Sequence, residues 1–157
     1  MVNKRGIEAL VATVLLVLIT IAAVGIIWGA VMPLIKSNIQ SSQKCFDADL
    51  EIKQGGYTCF DSSVPQVKVQ VGRGEKATDI SDIQIQLSSA GTSKSIKASN
   101  ESVSPNDIPG PNEEIVYTVG TLGLDYIDSV SIAAIIKIGN TVIMCPATQP
   151  VALGICG

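Results

Sequence analysis

The sequence predicts an α+β protein, with one long apolar helix at its N-terminal end and an antiparallel β head after it. Three observations carry the prediction. From Ala9 to Ile35 no residue is charged. From Phe46 onward, apolar residues recur at every second position, the period of a strand with one buried face. All four cysteines, Cys45, Cys59, Cys145 and Cys156, lie beyond the apolar run.

The apolar run is bounded by Lys4, Arg5 and Glu8 before it and Lys36 after it. At 1.5 Å per residue, a helix over it reaches about 40 Å, more than the roughly 30 Å of a hydrocarbon core. A cleavable secretory signal has a shorter apolar region, about 7–15 residues, followed by a small-residue cleavage site. Here the run ends in Val31-Met32-Pro33-Leu34-Ile35 with no such site. Lys4 and Arg5 place the start of the span on the cytoplasmic side. Residues 36–44 contain no glycine or proline, so the helix extends into polar sequence. Pro33 lies inside the pattern and is expected to kink the helix or break its hydrogen bonding. Gly25 and Gly29 form a small-xxx-small pair that lets another helix approach closely. Thr13 and Thr20 share a face, and each can satisfy its hydroxyl on its own backbone.

In the head, Phe46, Ala48, Leu50 and Ile52 alternate with charged residues, which reads as a first strand. Val67–Val71 and Ile83–Leu87 alternate in the same way, and Ile115–Val119 is a further β-favouring run. Val130–Ile138 is nearly continuous apolar sequence, the signature of a central strand. Gly139-Asn140 offers a two-residue hairpin turn into Thr141–Cys145. Turn-rich loops cover residues 89–93 and 102–112, the latter with three prolines. Seven or eight short strands in about 110 residues predict an immunoglobulin-like β-sandwich.

Composition narrows the function. The chain has 157 residues, a net charge of −3 and no histidine. Nucleic-acid binding needs a basic surface, so no such partner is expected. Without histidine the commonest acid–base and metal-binding side chain is missing. No nucleophile with its base, phosphate loop or metal site is legible, so no enzyme activity, cofactor or metal is expected. Asp47, Asp49 and Glu51 on a strand would stand in a row about 6.6 Å apart rather than surround an ion. Asn100-Glu101-Ser102 fits the N-glycosylation pattern within a polar loop.

An even number of cysteines beyond a membrane helix reads as disulfides formed in an oxidising space. Four cysteines allow three connectivities. Proximity favours Cys45–Cys59 with Cys145–Cys156, but such pairs need a strand to fold back on itself. If every apolar run reverses the direction of the one before, Cys59 and Cys145 reach one end of the head and Cys45 and Cys156 the other. Strand parity thus predicts Cys59–Cys145 and Cys45–Cys156.

Lys4-Arg5-Gly6-Ile7-Glu8-Ala9-Leu10-Val11-Ala12-Thr13-Val14-Leu15-Leu16 resembles the class III leader and helix start of archaeal type IV pilins and archaellins. The resemblance covers residues 1–35; over the head it is one of architecture. It implies a prepilin-type leader over residues 1–6, cut by a membrane prepilin peptidase between Gly6 and Ile7. It implies a membrane and filament-core helix with its polar extension over 7–44, and an extracellular head over 45–157. Glu8 would be the second mature residue, whereas bacterial members carry a glutamate at the fifth. Glu8, Gly25, Gly29 and Pro33 would then shape helix packing. The expected role is a structural subunit of an adhesive pilus-like filament, a helical homopolymer held in the membrane before assembly machinery exports it. The alternatives are an archaellin of a motility filament or a stand-alone, membrane-anchored binding domain.

Overall fold

The computed structural model describes the backbone of residues 4–157 and the side chains of residues 10–36 and 38–157. The chain divides into two compact units, Met1–Gln40 and Ser41–Gly157. The architecture is α+β, with the long apolar helix first and an antiparallel-rich β region after it.

The helical part comprises α1 (Lys4–Ile26), a π-helical turn (Ile27–Val31) and α2 (Met32–Ala48). The π turn lies directly before Pro33. Regular α geometry would drive the proline ring into the carbonyl of Gly29 and leave that carbonyl without its donor. A wider turn at this point is one of the recognised ways a helix absorbs the defect. Thr13 and Thr20 donate their hydroxyls to the carbonyls of Leu10 and Val17, at 2.9 and 2.8 Å, so neither is left open for a neighbour.

Two sheets form the head. The first has the order β11 (Gly154–Ile155), β2 (Cys59–Asp61), β3 (Gln66–Arg73), β7 (Glu114–Gly120), β6 (Val103–Ser104), and β1 (Leu50–Ile52) also pairs with β3. The second has the order β10 (Val151–Ala152), β8 (Ser129–Ile138), β4 (Ile80–Ser89), β5 (Thr92–Lys97), and β9 (Thr141–Met144) also pairs with β8. Every pairing is antiparallel except β11 with β2. Val67, Val69 and Val71 of β3, Tyr117 and Val119 of β7, and Ile83, Ile85 and Leu87 of β4 are fully buried in one shared core. The alternation read in the sequence is therefore the inward face of each strand. Central strand β8 is buried along nearly its whole length, Ser131, Ala133 and Ile135 included, as its continuous apolar run requires.

The first strand needs correction. Residues 46–48 are the last turn of α2 rather than strand, and β1 begins only at Leu50. Asp49 ends the helix in the left-handed region (φ 42°), and its carbonyl accepts from the Gly74 N–H at 3.0 Å. The residues that turn inward here are Cys45 and Ala48, spaced three apart as on a helix. Phe46 points to solvent.

The disulfide pairing expected from parity is also overturned. The structure joins Cys45 to Cys145 and Cys59 to Cys156, with Cα atoms 5.4 and 5.1 Å apart. The reversal counted between the last two runs does not occur. The Gly139-Asn140 hairpin forms as expected and lies at the end of the head carrying the last turn of α2. Strand β9 rises only four residues from it before Cys145, which therefore stays near Cys45. Strands β9 and β10 both pair antiparallel with β8, at Ile135–Ile138 and at Ser129–Val130. One direction is kept from Thr141 to Ala152, and β11 then runs parallel to β2, with Gly154 opposite Cys59. Cys156, whose N–H donates to the Phe60 carbonyl at 2.9 Å, is thus delivered to Cys59.

Half-buried Arg73 and buried Tyr117 pin the proline-bearing loop before β7. Arg73 donates through Nη1 to the Pro109 carbonyl at 3.0 Å and through Nη2 to the Thr78 carbonyl. The Tyr117 hydroxyl donates to the Asp107 carbonyl at 2.6 Å. Burial, helped by the nearby charges of Asp107, Asp82 and Glu113, pushes the Tyr117 phenol well above its ordinary value near 10.

Two outcomes follow for stability. Each disulfide closes a loop of 100 or 97 residues, so replacing Cys145 with serine is expected to cost about 4–5 kcal/mol in urea unfolding. Non-reducing peptide mapping should link Cys45 to Cys145; a Cys45–Cys156 peptide would restore the parity pairing. For Tyr117 the neutral phenol is favoured in the fold, so its contribution is complete below about pH 10 and drains away as pH rises beyond that. Tyr117→Phe should lower stability by about 1 kcal/mol at pH 7 through the lost hydrogen bond. The variant should also lose less than wild type between pH 7 and 11, and parallel curves would remove this group from the alkaline transition.

Candidate assembly surface and modification site

Leu10–Ala48 is a helix long and apolar enough to cross a membrane, with a mean hydropathy of 3.0 over its most apolar 18 residues. Its side chains are apolar around the whole circumference from Leu10 to Ile19, and almost all of those from Leu10 to Val31 are exposed within this chain. A helix apolar on every side is stable only in lipid or among other helices. Nothing stands within 4 Å of a Cβ built on Gly25 or Gly29, so the small-residue face is open to an approaching backbone. Pro33 is exposed immediately after the π turn.

Gly6, Ile7 and Glu8, assigned to cleavage and packing, fall in the helical backbone of α1, but their side chains lie outside the described residues. So do residues 1–3, the beginning of the expected leader.

The two disulfides are the chemistry that the head does contain. Such bonds persist in oxidising compartments and point, with the helix, to an anchored or exported protein with its head outside the cell. Among the described residues no cysteine is free, and no group of three or more Cys, Asp or Glu side chains converges as a metal site. Asp47, Asp49 and Glu51 are separated into a helix end, its cap and a strand. Asp47 pairs with Lys76 at 2.5 Å, which holds the exposed Lys76 ammonium above its ordinary value, while Glu51 pairs with Lys53 and raises it in the same way.

Asn100 sits on an exposed turn between β5 and β6. Its Oδ1 accepts from the Ser102 N–H at 2.9 Å, and its carbonyl accepts from Val103 N–H at 2.9 Å. The residue order Asn-Glu-Ser is thus presented as a tight loop in which all three residues are exposed.

One surface was not foreseen. Phe46 is 80% exposed, and on β9 Val142 and Met144 are 61% and 55% exposed. Phe46 and Met144 border an open concavity of about 480 Å³ beside the Cys45–Cys145 bond, with Ile143 and Pro146 completing its wall. Lys76 stands 5.7 Å from the centre of the Phe46 ring while paired to Asp47, so charge rims the apolar patch. The available signal was the composition of β9: its run Val142-Ile143-Met144 is apolar on both faces, unusual for a strand at a sheet edge.

No family model, curated protein or solved structure matches the chain.

Proposed function

We propose that the chain is a structural subunit of an extracellular, archaeal type IV pilus-like filament serving adhesion or surface attachment. The carrying observation is the helix that is apolar on all sides from Leu10 to Ile19 and left uncovered by its own chain. Lipid satisfies that surface before assembly, and copies of the same helix satisfy it afterwards. The basic pair Lys4-Arg5 followed by Gly6 supplies the leader that a prepilin peptidase removes, and membrane machinery exports the product. The head, read as an immunoglobulin-like sandwich, stays outside the helical core. That reading is supported by two antiparallel-rich sheets with a shared core. The Tyr117 hydroxyl also reaches back to the loop preceding its strand, as in the tyrosine corner of such sandwiches. The function is mechanical and adhesive rather than enzymatic, with Asn100 as the site of glycan attachment.

Processing is tested by intact mass. Cleavage after Gly6 removes Lys4 and Arg5 from 11 basic side chains and leaves 14 acidic ones, shifting the net charge from −3 to −5. Native protein retaining Met1 would favour the anchored-domain alternative. Assembly is tested separately by electron microscopy of cell-surface material. Val17→Asp puts a charge mid-helix, at a cost of about 2.5–3.5 kcal/mol in a bilayer, and should abolish filaments. A head-only chain from Cys45 should remain monomeric; its polymerisation would refute a helix-based core.

A further inference from the structure

We infer that the free edge of β9 pairs antiparallel with β9 of a second copy, joining two heads strand to strand. The phase of the β8–β9 ladder decides which backbone groups are free. The Cys145 N–H donates to the Ala134 carbonyl at 2.8 Å, and the register sets Ile135 opposite Met144 and Lys137 opposite Val142. Hydrogen-bonded and non-hydrogen-bonded pairs alternate along an antiparallel ladder. Thr141, Ile143 and Cys145 therefore bond toward β8, while Val142 and Met144 turn their N–H and carbonyl groups outward. The Lys137 N–H agrees, since it leaves β9 and donates to the Asp79 carbonyl at 3.1 Å. Strand β9 pairs with β8 alone, and among the described residues no other backbone hydrogen bond reaches Val142 or Met144.

An open edge is a template for another strand, and proteins ordinarily blunt it with charge, proline or brevity. The other edges of this head are blunted in those ways. Strand β5 carries Lys94 and Lys97, and β6 has two residues followed by Pro105. Strands β10 and β11 have two residues each, and β1 has three with Glu51 at its centre. Strand β9 has four residues, none charged and none proline. Its occupant follows from the same chemistry. A row of unpaired amides and carbonyls is met in register by another extended backbone. A second β9 brings no charge to the contact, whereas β5 against its own copy would set lysines near lysines. Two-fold antiparallel pairing offers the Val142 and Met144 groups of each copy to the other, for about four hydrogen bonds. The open concavity of about 480 Å³ bordered by Phe46, Ile143 and Met144 lies beside this strand. Four residues of edge cover less than the roughly 1,000 Å² that a stable interface between free proteins needs. The pairing therefore depends on helices that hold many heads on one surface, where effective concentration makes up for small area. A two-fold contact closes on itself, so it bridges copies without building a filament and stands apart from the filament reading.

The experiment places equal amounts of unlabelled and heavy-isotope-labelled full chain in the same liposomes, with a photo-reactive benzophenone side chain at position 142. Irradiation should yield heavy–light peptides that join position 142 of one chain to residues 141–145 of the other. Met144→Pro removes an outward N–H while sparing the β8 ladder, and Met144→Lys supplies the charge that this edge lacks. Each should lower the yield of those peptides by about tenfold, with the Cys45–Cys145 bond retained on peptide mapping. Cross-links that run only to residues 10–35, to lipid or nowhere would overturn the pairing. So would an unchanged yield in either variant. Filaments present or absent in electron microscopy bear on the filament reading alone.

Discussion

The large apolar side chains between Leu10 and Ile19 point outward on every face of their helix, where water solvates them poorly. At about 25 cal/mol per Å² of apolar surface, a helix of this kind has a large free-energy preference for lipid or for burial against other apolar surface. This one constraint orders the rest of the molecule. It calls for a head that folds around a core of its own. The backbone defect before Pro33 takes the form of a π turn rather than a break, and wherever apolar surroundings exclude water a widened but still hydrogen-bonded helix costs less than an open one.

The head meets its part with an ordinary core and two long-range covalent ties. The valine and isoleucine faces of β3, β4, β7 and β8 supply the burial. The ends of the chain segment are less well held by secondary structure: β1 has three residues, and β10 and β11 have two each. Those are the segments that the disulfides secure, one at the last turn of α2 and one beyond β11. Hydrogen bonding secures the remaining long loop, through Arg73 to Pro109 and Tyr117 to Asp107.

The long elements were legible because each has a strong period. The uncharged run from Ala9 to Ile35, the alternating valines of β3 and the continuous apolar run of β8 left little room for another reading. Short segments were not legible. Phe46, Ala48, Leu50 and Ile52 alternate like a strand, yet Cys45 and Ala48 also fit a helical face, and the left-handed cap at Asp49 decides for the helix as far as Ala48. Strands β2 and β6 are too short to carry a period of their own and exist because β3 and β7 offer them partners. The pairing of the cysteines failed on one missing reversal, since sequence does not distinguish a chain that turns back after Cys145 from one that continues along the same neighbour. The exposed patch went unseen for the same reason, because Phe46 had been placed on an inward strand face. Thr13 and Thr20, by contrast, needed only local geometry and were read as they stand.

The Cys45–Cys145 bond also fixes how the head bears load. A pull along the last turn of α2 meets Cys45 before it meets Asp49 and β1. The tension therefore crosses the sulfur bridge into the β8–β9 ladder instead of peeling β1 from β3 one hydrogen bond at a time. There it acts beside a ten-residue central strand held on both edges by β4 and by β9 with β10. Such a route loads many hydrogen bonds together in shear. A weak three-residue strand at the entrance to the head is then no mechanical fuse, and the domain is suited to staying folded while something tugs on it.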